Sequence, residues 1–320
     1  MLLLFTDSKD VISQKVVSLL DCEFKLIYKS DKFTNIKIKL CNENQASFLI
    51  SNYEKTIDLS NITYIWHRRG DFKFSVSLPI KNEFILKSVE KEMNFLRLSF
   101  SKIMNSIPHL SLPVHEYMNN KIFNLFAANS VGLKIPVSLL TNSKKILNRE
   151  FIENQDLITK GIYSMFEYND PDILLCRIGT IRADRPDLNQ LEEVFFPSFF
   201  QKEIKKAFEI RSFYFLGKTY SIAIMSQENE KTQLDFRGYS VFTRIQRYQL
   251  PSEIEIKVKR LMDKLGMKIG VLDFIYGEDG NIYFLEINPT GQINRISELG
   301  NYQLDKLIAN HLNQVVNERN

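Results

Sequence analysis

The sequence predicts a chain of mixed α/β and α+β class with two or three domains, and three observations carry that reading. A short apolar run, Leu2 to Phe5, passes through Thr6-Asp7-Ser8 into Val11, Val16, Val17, Leu19 and Leu20 at helical spacing, the strand-then-helix opening of an α/β layer. The last third of the chain alternates long apolar runs with turn signals and periodic helices. At 320 residues the chain also exceeds one ordinary compact unit.

Taken in order, Ile62 to Trp66 reads as a second buried strand, ending in His67-Arg68-Arg69-Gly70-Asp71. Phe84 to Phe100 reads as a long helix with Phe84, Val89, Met93, Leu96 and Phe100 recurring along it, and the first domain ends near Leu112-Pro113. Asn119 to Val131 is helical, with Ile122, Phe123, Phe126 and Ala127 on one side, Gly132 as its stop and Pro136 preventing continuation. Short strands and turns fill Val137 to Ile181, among them Leu157-Ile158-Thr159-Lys160. Strands follow at Arg211 to Leu216 and Tyr220 to Met225. A helix at Ser252 to Leu265 then leads into a hairpin, and a further helix closes the chain.

Composition narrows the function classes. Apolar residues at 44% and charged residues at 25% describe a globular chain with a core, while 12 Gly and 9 Pro argue against disorder. No apolar run is long enough to span a bilayer, and Met1 to Phe5 is too short for a signal-peptide core. Cys22, Cys41 and Cys176 form no CxxC pair, so neither a disulfide framework nor a zinc site is expected, and the expected compartment is a reducing cytoplasm. The net charge of +4 is spread along the chain. The clusters Lys202 to Lys206 and Lys257 to Arg260 read as solvated helix faces, and no nucleic-acid motif is present.

The most informative stretch runs from Val271 to Pro289. Two apolar runs flank Asp279-Gly280, a signal for a two-residue hairpin turn. With that turn, Glu278 faces Asn281, and counting outward sets Asp273 opposite Glu286; strand alternation puts Asn288 on the same face. Opposed carboxylates repel, and burial deepens the penalty unless a cation or a shared proton relieves it. Oxygen donors without His or Cys suit a hard ion such as magnesium, which keeps positions open for phosphate oxygens. The other reading is that this face meets solvent, but the opposed pair with Asn288-Pro289 favours a metal site of Asp273, Glu286 and Asn288.

The string from Asp273 through Phe284-Leu285-Glu286-Ile287-Asn288-Pro289-Thr290-Gly291-Gln292 resembles the metal-binding signature of the ATP-grasp superfamily. More narrowly it resembles the ATP-grasp maturases of ribosomally made peptides, the microviridin-type or graspetide ligases, including the grasp-with-spasm group. The likeness covers nearly the whole chain. Trp66-His67-Arg68-Arg69-Gly70 is similar to a Trp-x-Arg-Arg segment of their first domain. Asn119-Asn120-Lys121, followed by Ala127, Gly132, Leu133, Ile135 and Pro136, resembles the start of their grasp fold. Phe200 to Ile204 and Glu209-Ile210-Arg211 are similar to the nucleotide hinge and the strand after it. Asp235-Phe236-Arg237 resembles an Asp-x-Arg motif whose middle residue is usually Trp.

The resemblance implies an ATP-grasp fold with an N-terminal α/β (pre-ATP-grasp) domain at 1–112, a central lid subdomain at 113–198 and a C-terminal subdomain with the metal site at 199–320. It implies ATP and Mg2+ as cofactors. Lys121 and Lys160 would contact phosphates; each would otherwise be a solvated surface lysine. Gln201, Lys202, Glu203 and Ile204 would receive adenine through backbone groups, with Glu203 near the exocyclic amine or Glu209 on the ribose. Arg211 and Arg237 would offset charge on the γ-phosphate or acyl phosphate. Asp235 would orient or deprotonate the nucleophile, or else fix Arg237. No GxxxxGK[ST] or GxGxxG occurs, and the Gly-rich lid of many relatives is not evident, Lys160 to Ser164 being a poor substitute.

The implied activity is ATP-dependent activation of Asp or Glu side chains of a precursor peptide, then capture by Thr or Ser hydroxyls or Lys amines to close macrocycles. The implied partners are that precursor with its leader segment and a second copy in a homodimer, with no nucleic acid and no membrane. His67-Arg68-Arg69 either meets acidic peptide or braces the first domain. Two other readings stand beside the first: a ligase that adds free amino acids to a protein tail, and a catalytically silent peptide-binding protein.

Overall fold

The computed structural model describes residues 1–40, 46–74, 82–151, 156–162, 166–170, 173–178, 180–183, 188–228 and 244–318. The chain divides into two compact units. One comprises Met1–Met118, Pro289–Ser297 and Gln303–Asn320, and the other Asn119–Asn288 and Glu298–Tyr302.

In the first unit β1 (Leu2–Thr6) is buried at every position, the pattern of a parallel strand covered on both faces. Asp10 then caps α1 (Val11–Val17), accepting from the Ser13 amide at 2.9 Å. The chain returns through β2 (Phe24–Tyr28), runs through an antiparallel sheet of β3 (Asn35–Leu40), β4 (Ala46–Ser51) and β5 (Thr56–Asp58), and re-enters as β6 (Tyr64–His67). After α2 (Glu83–Asn105), β7 (His109–Ser111) completes a parallel sheet of order β2-β1-β6-β7, followed by α3 (Pro113–Tyr117). Leu3, Phe5, Ile27, Ile65, Phe72, Phe100 and Met104 form its core.

Within α2 the stripe Val89, Met93, Leu96 and Phe100 faces inward, whereas Phe84, expected in that stripe, is 81% exposed. Five residues separate Phe84 from Val89, which is off the three-or-four spacing of one helix face.

The segment His67-Arg68-Arg69 turns mostly inward. His67 and Arg68 are each 2% exposed. Burial drives the His67 pKa down to about 3, so the ring is neutral and its Nε2–H donates to the Gly70 carbonyl at 2.8 Å. Arg68 donates to Asp10 at 2.8 Å and to the Gly291 carbonyl at 3.1 Å. These two residues brace the first unit, and Arg69 alone of the three keeps substantial exposure. Gly70 has φ +82°, and a Cβ there would lie 2.9 Å from Lys29 Cα, so only glycine fits.

The second unit opens with α4 (Lys121–Ser130), capped by Asn120 and ended at Gly132 with φ +83°. Next come β8 (Ser138–Ser143), α5 (Lys144–Glu150), β9 (Leu157–Thr159), the hairpin β10 (Phe166–Asp170) and β11 (Ile173–Ile178), β12 (Ile181–Arg182) and β13 (Val194–Lys202). Four of these strands form a sheet of order β12-β9-β13-β8. The chain continues through β14 (Lys206–Phe215), β15 (Lys218–Ile224), β16 (Ile245–Tyr248), α6 (Ser252–Lys264), β17 (Ile269–Gly277) and β18 (Ile282–Asn288), giving a second sheet of order β16-β15-β14-β17-β18. Leu125, Ala128, Val258, Leu261, Leu272, Phe274 and Phe284 pack α4 and α6 onto one face of it. Then come α7 (Asn294–Leu299) and α8 (Leu304–Asn317), the latter part of the first unit.

Three expectations change. The cluster Lys202 to Lys206 is not a helix face: it joins β13 to β14, and Lys206 is 7% exposed in an ion pair with Glu209. The closing helix, expected within the C-terminal subdomain, packs against α1 in the first unit through its buried face of Ile308, Leu312 and Val316. The hairpin turn is also longer than two residues. Gly277 donates to the Asn281 carbonyl at 2.8 Å, and Gly280, with φ +76°, sits at the left-handed position of a three-residue loop. That loop shifts the pairing by one, to Tyr276 opposite Ile282 and Phe274 opposite Phe284. A bulge at Leu285 shifts it back, so Asp273 pairs with Glu286.

Candidate active site

The bulge decides the site. By strict alternation Glu286 would share a face with Phe284; the extra residue returns Ile287 to the core and turns Glu286 and Asn288 to the opposite face. Across the sheet one row then runs Arg247, Ile222, Arg211, Asp273 and Glu286, on β16, β15, β14, β17 and β18. The row one step along holds Val271 and Asn288, and the step in the other direction holds Glu209 opposite Ile224. Three acids, a carboxamide and two arginines therefore share the face away from the α4–α6 core.

Each of the two opposed acids has a cation near it. Arg211 Nη1 lies 3.7 Å from Asp273 Oδ1, and Lys121 Nζ lies 3.6 Å from Glu286 Oε2, both longer than a direct hydrogen bond. Asp273 is 6% exposed, so its charge lies largely out of water. Among the described residues no group of three or more His, Cys, Asp and Glu side chains could hold a metal. An ion here would rest on two carboxylates and the Asn288 carboxamide. That all-oxygen set, with its like charges held directly opposite, fits a hard divalent cation that brings further oxygen ligands of its own.

Lys121 is the first residue of α4, positioned by the Asn120 cap, and its Nζ also donates to the Gly161 carbonyl at 3.0 Å. One ammonium therefore touches the loop after β9 and the carboxylate on β18. Asn119 Nδ2 donates to the Ile287 carbonyl at 3.0 Å and ties the start of α4 to the same strand. Lys160 directly follows β9, with Nζ 5.8 Å from the centre of the Phe199 ring.

At the hinge, Gln201 is 1% exposed; its Nε2 donates to Ser138 Oγ at 2.9 Å, and its Oε1 is buried without a hydrogen-bond donor. Lys202 is exposed and Ile204 half-buried. Arg182 holds Glu203 with two bonds, at 2.9 and 2.7 Å, so this carboxylate already has a partner within the protein. Glu209 is also engaged, by Lys206 and by Ser226 Oγ at 3.0 Å. Burial raises the Glu209 pKa, and Lys206 offsets only part of that rise. Asp235 and Arg237 lie outside the described residues.

Three residues of this face had no mark in the sequence. Lys206 stood in a charge run, and Ser226 and Arg247 in no pattern at all. Arg247 is exposed and stacks over the Tyr302 ring at 4.3 Å, while the Tyr302 hydroxyl donates to the Ser221 carbonyl at 2.8 Å.

No family model and no curated protein matches the chain. Solved structures do. A RiPP-associated ATP-grasp ligase of Chryseobacterium gregarium, in complex with ADP and a leader and core peptide, is 22% identical over 97% of this chain and 96% of that chain, with TM-score 0.82. The macrocyclase MdnC of Microcystis aeruginosa MRC, bound with precursor peptide MdnA, is 25% identical over 97% and 98%, with TM-score 0.76. The chain has the ATP-grasp fold. A third ATP-grasp structure, the ligase PsnB complexed with a phosphomimetic variant of its minimal precursor, Mg and ADP, is 16% identical over 98% of each chain, with TM-score 0.68.

Proposed function

We propose that this chain is an ADP-forming ATP-grasp ligase acting on a ribosomally made precursor peptide. It activates Asp or Glu side chains as acyl phosphates and joins them to Thr or Ser hydroxyls, or Lys amines, of the same peptide. The observation that carries the reading is the row Arg211, Asp273 and Glu286 with Asn288 beside it and Lys121 at its edge. A peptide-binding module has no use for directly opposed carboxylates, which only destabilise a sheet. The peptide substrate, the leader and the nucleotide are carried over from the complexes of the similar structures.

In the proposed reaction a substrate carboxylate attacks the γ-phosphorus of ATP and ADP leaves. The hydroxyl or amine then adds to the acyl carbon, losing its proton, and phosphate departs. Asp273, Glu286 and Asn288 would hold Mg2+, which supplies charge neutralisation at the phosphate oxygens. Arg211, beside Asp273, is placed to offset charge on the transferred group, and Lys121 can bind phosphate oxygens once Glu286 turns to the metal. Gln201 to Ile204 would receive adenine, and Glu209, held by Lys206 and Ser226, would face the ribose. Arg237 and Asp235 keep their proposed roles as second cation and proton acceptor. A reducing cytoplasm remains the proposed compartment. Among the described residues no helix is long and apolar enough to cross a membrane.

We infer further that the working form is a homodimer. Support comes from α2, where Phe84, Phe95 and Leu98 are 81%, 69% and 42% exposed along one stripe. Light scattering should give twice the chain mass, and Phe95→Asp should halve it.

Mass spectrometry of a candidate precursor after incubation with the protein, ATP and Mg2+ tests the chemistry. The expected result is loss of one water per cross-link with one ADP formed, abolished by Asp273→Ala. A mass gain equal to an added amino acid would instead support the tail-adding ligase. Peptide binding without nucleotide turnover would leave the silent binding protein.

A further inference from the structure

The first unit holds a cavity of its own, about 350 Å³, at the carboxyl ends of β1 and β6. In the parallel order β2-β1-β6-β7, β1 leads to β2 on one side while β6 lies on the other, so the strand order reverses between them. Ligands bind in that crevice in open parallel sheets. Four cations (Lys9, Arg68, Arg69 and Arg295) line the cavity against two acids, Asp7 and Asp10. Asp10 is committed to Arg68 at 2.8 Å, and Glu116 outside the cavity lies 3.7 Å from Arg69. Arg68 is 2% exposed and its Nε is buried without a hydrogen-bond acceptor.

We infer that this cavity binds the side-chain carboxylate of an acidic residue in the peptide substrate, separately from the metal site on β17 and β18. The excess of positive charge selects an anion. Planar guanidinium groups match a carboxylate in two-pronged geometry. Buried Ile12 and Ile293 line the same cavity and suit the methylene stem of a Glu more than a phosphate. The loop Asp7-Ser8-Lys9-Asp10 contains no glycine and sets two carboxylates on the rim, which disfavours a doubly charged phosphate. Arg69, held through Nη1 by Thr290 Oγ1 at 3.0 Å but still 30% exposed, is the residue placed to meet the ligand first.

The identity of the ligand rests on the peptide-ligase reading, so the deciding readout is peptide binding without nucleotide or turnover. Saturation-transfer NMR on the full chain would titrate a capped pentapeptide with one central Glu and its Gln counterpart, with inorganic phosphate and acetate as competitors. The Glu peptide should bind at least tenfold more tightly than the Gln peptide. Arg69→Ala should remove that difference while leaving ATP binding intact, and Arg69→Lys should restore part of it. Equal binding of the two peptides, no effect of Arg69→Ala, or phosphate displacing the Glu peptide more readily than acetate does would each overturn the assignment. A chain that binds the Glu peptide as expected but never ligates would count against the ligase reading alone.

Discussion

Both units bury charge, but they arrange it in opposite ways. In the first, Arg68 and Asp10 form an opposite-charge pair at 2.8 Å, with side chains 2% and 10% exposed, and Asp10 also caps α1. The pair is closed within the protein: burial pushes the Asp10 pKa up, but Arg68 and the Ser13 hydrogen bonds together hold it below its usual value. In the second, Asp273 and Glu286 are like charges set directly opposite, with Arg211 and Lys121 at 3.7 and 3.6 Å. The first arrangement explains how a unit holds together. The second supports the metal site proposed above, because a fold gains nothing by facing two acids across a ladder. Asp71, also in the first unit, is a third case. Burial, opposed by the Phe72 amide and Arg97, raises its pKa to about 6, so it takes up a proton below about pH 6.

These cases separate under substitution. Removal of Asp10 strands a buried guanidinium and a helix cap, so Asp10→Ala should lower stability by about 3 kcal/mol. Urea unfolding measures this, and a loss under about 1 kcal/mol would mean that the pair is not a brace. Next in size is the pH dependence of Asp71. The folded-state pKa lies above the ordinary value of 3.8, so the folded state holds the proton more tightly. Stability should therefore fall as pH rises from about 4 to about 6, by roughly 2 kcal/mol, then level off. Asp71→Asn should flatten that slope; a slope that persists in the variant places its origin elsewhere. The smallest effect belongs to Asp273→Asn. Relief of the like-charge pair should leave metal-free stability unchanged or raised by about 0.5 kcal/mol, and should abolish any rise in melting temperature with Mg2+. A large destabilisation without metal would make Asp273 a structural residue and break the comparison.

The sequence determined much by itself. Contiguous apolar runs and helical spacing announce β1, β6, α4, α6 and both strands of the last hairpin, because those signals lie within a few residues of one another. The same local reading brought out Asp273, Glu286 and Asn288, since an all-oxygen set flanking a turn is legible without knowing its neighbours. Even so, Asp273 was set opposite Glu286 by way of a turn that does not form; the three-residue loop and the bulge at Leu285 cancel in register, and neither has a signature in that string.

Only the tertiary structure decided the rest. It buried His67 and Arg68, which the chain alone leaves between a brace and a peptide contact, because the partners of Arg68, Asp10 and Gly291, are far apart in sequence. It brought Lys121 to Glu286 from the start of α4, and Arg247 into the row of Arg211 through strand pairing, across long separations. It also set the closing helix against α1 at the other end of the chain. The physical reason is common to all of these. Propensity and periodicity act over a turn or two, whereas the pairing of charges, the order of strands and the closing of a cavity depend on residues that only folding makes neighbours.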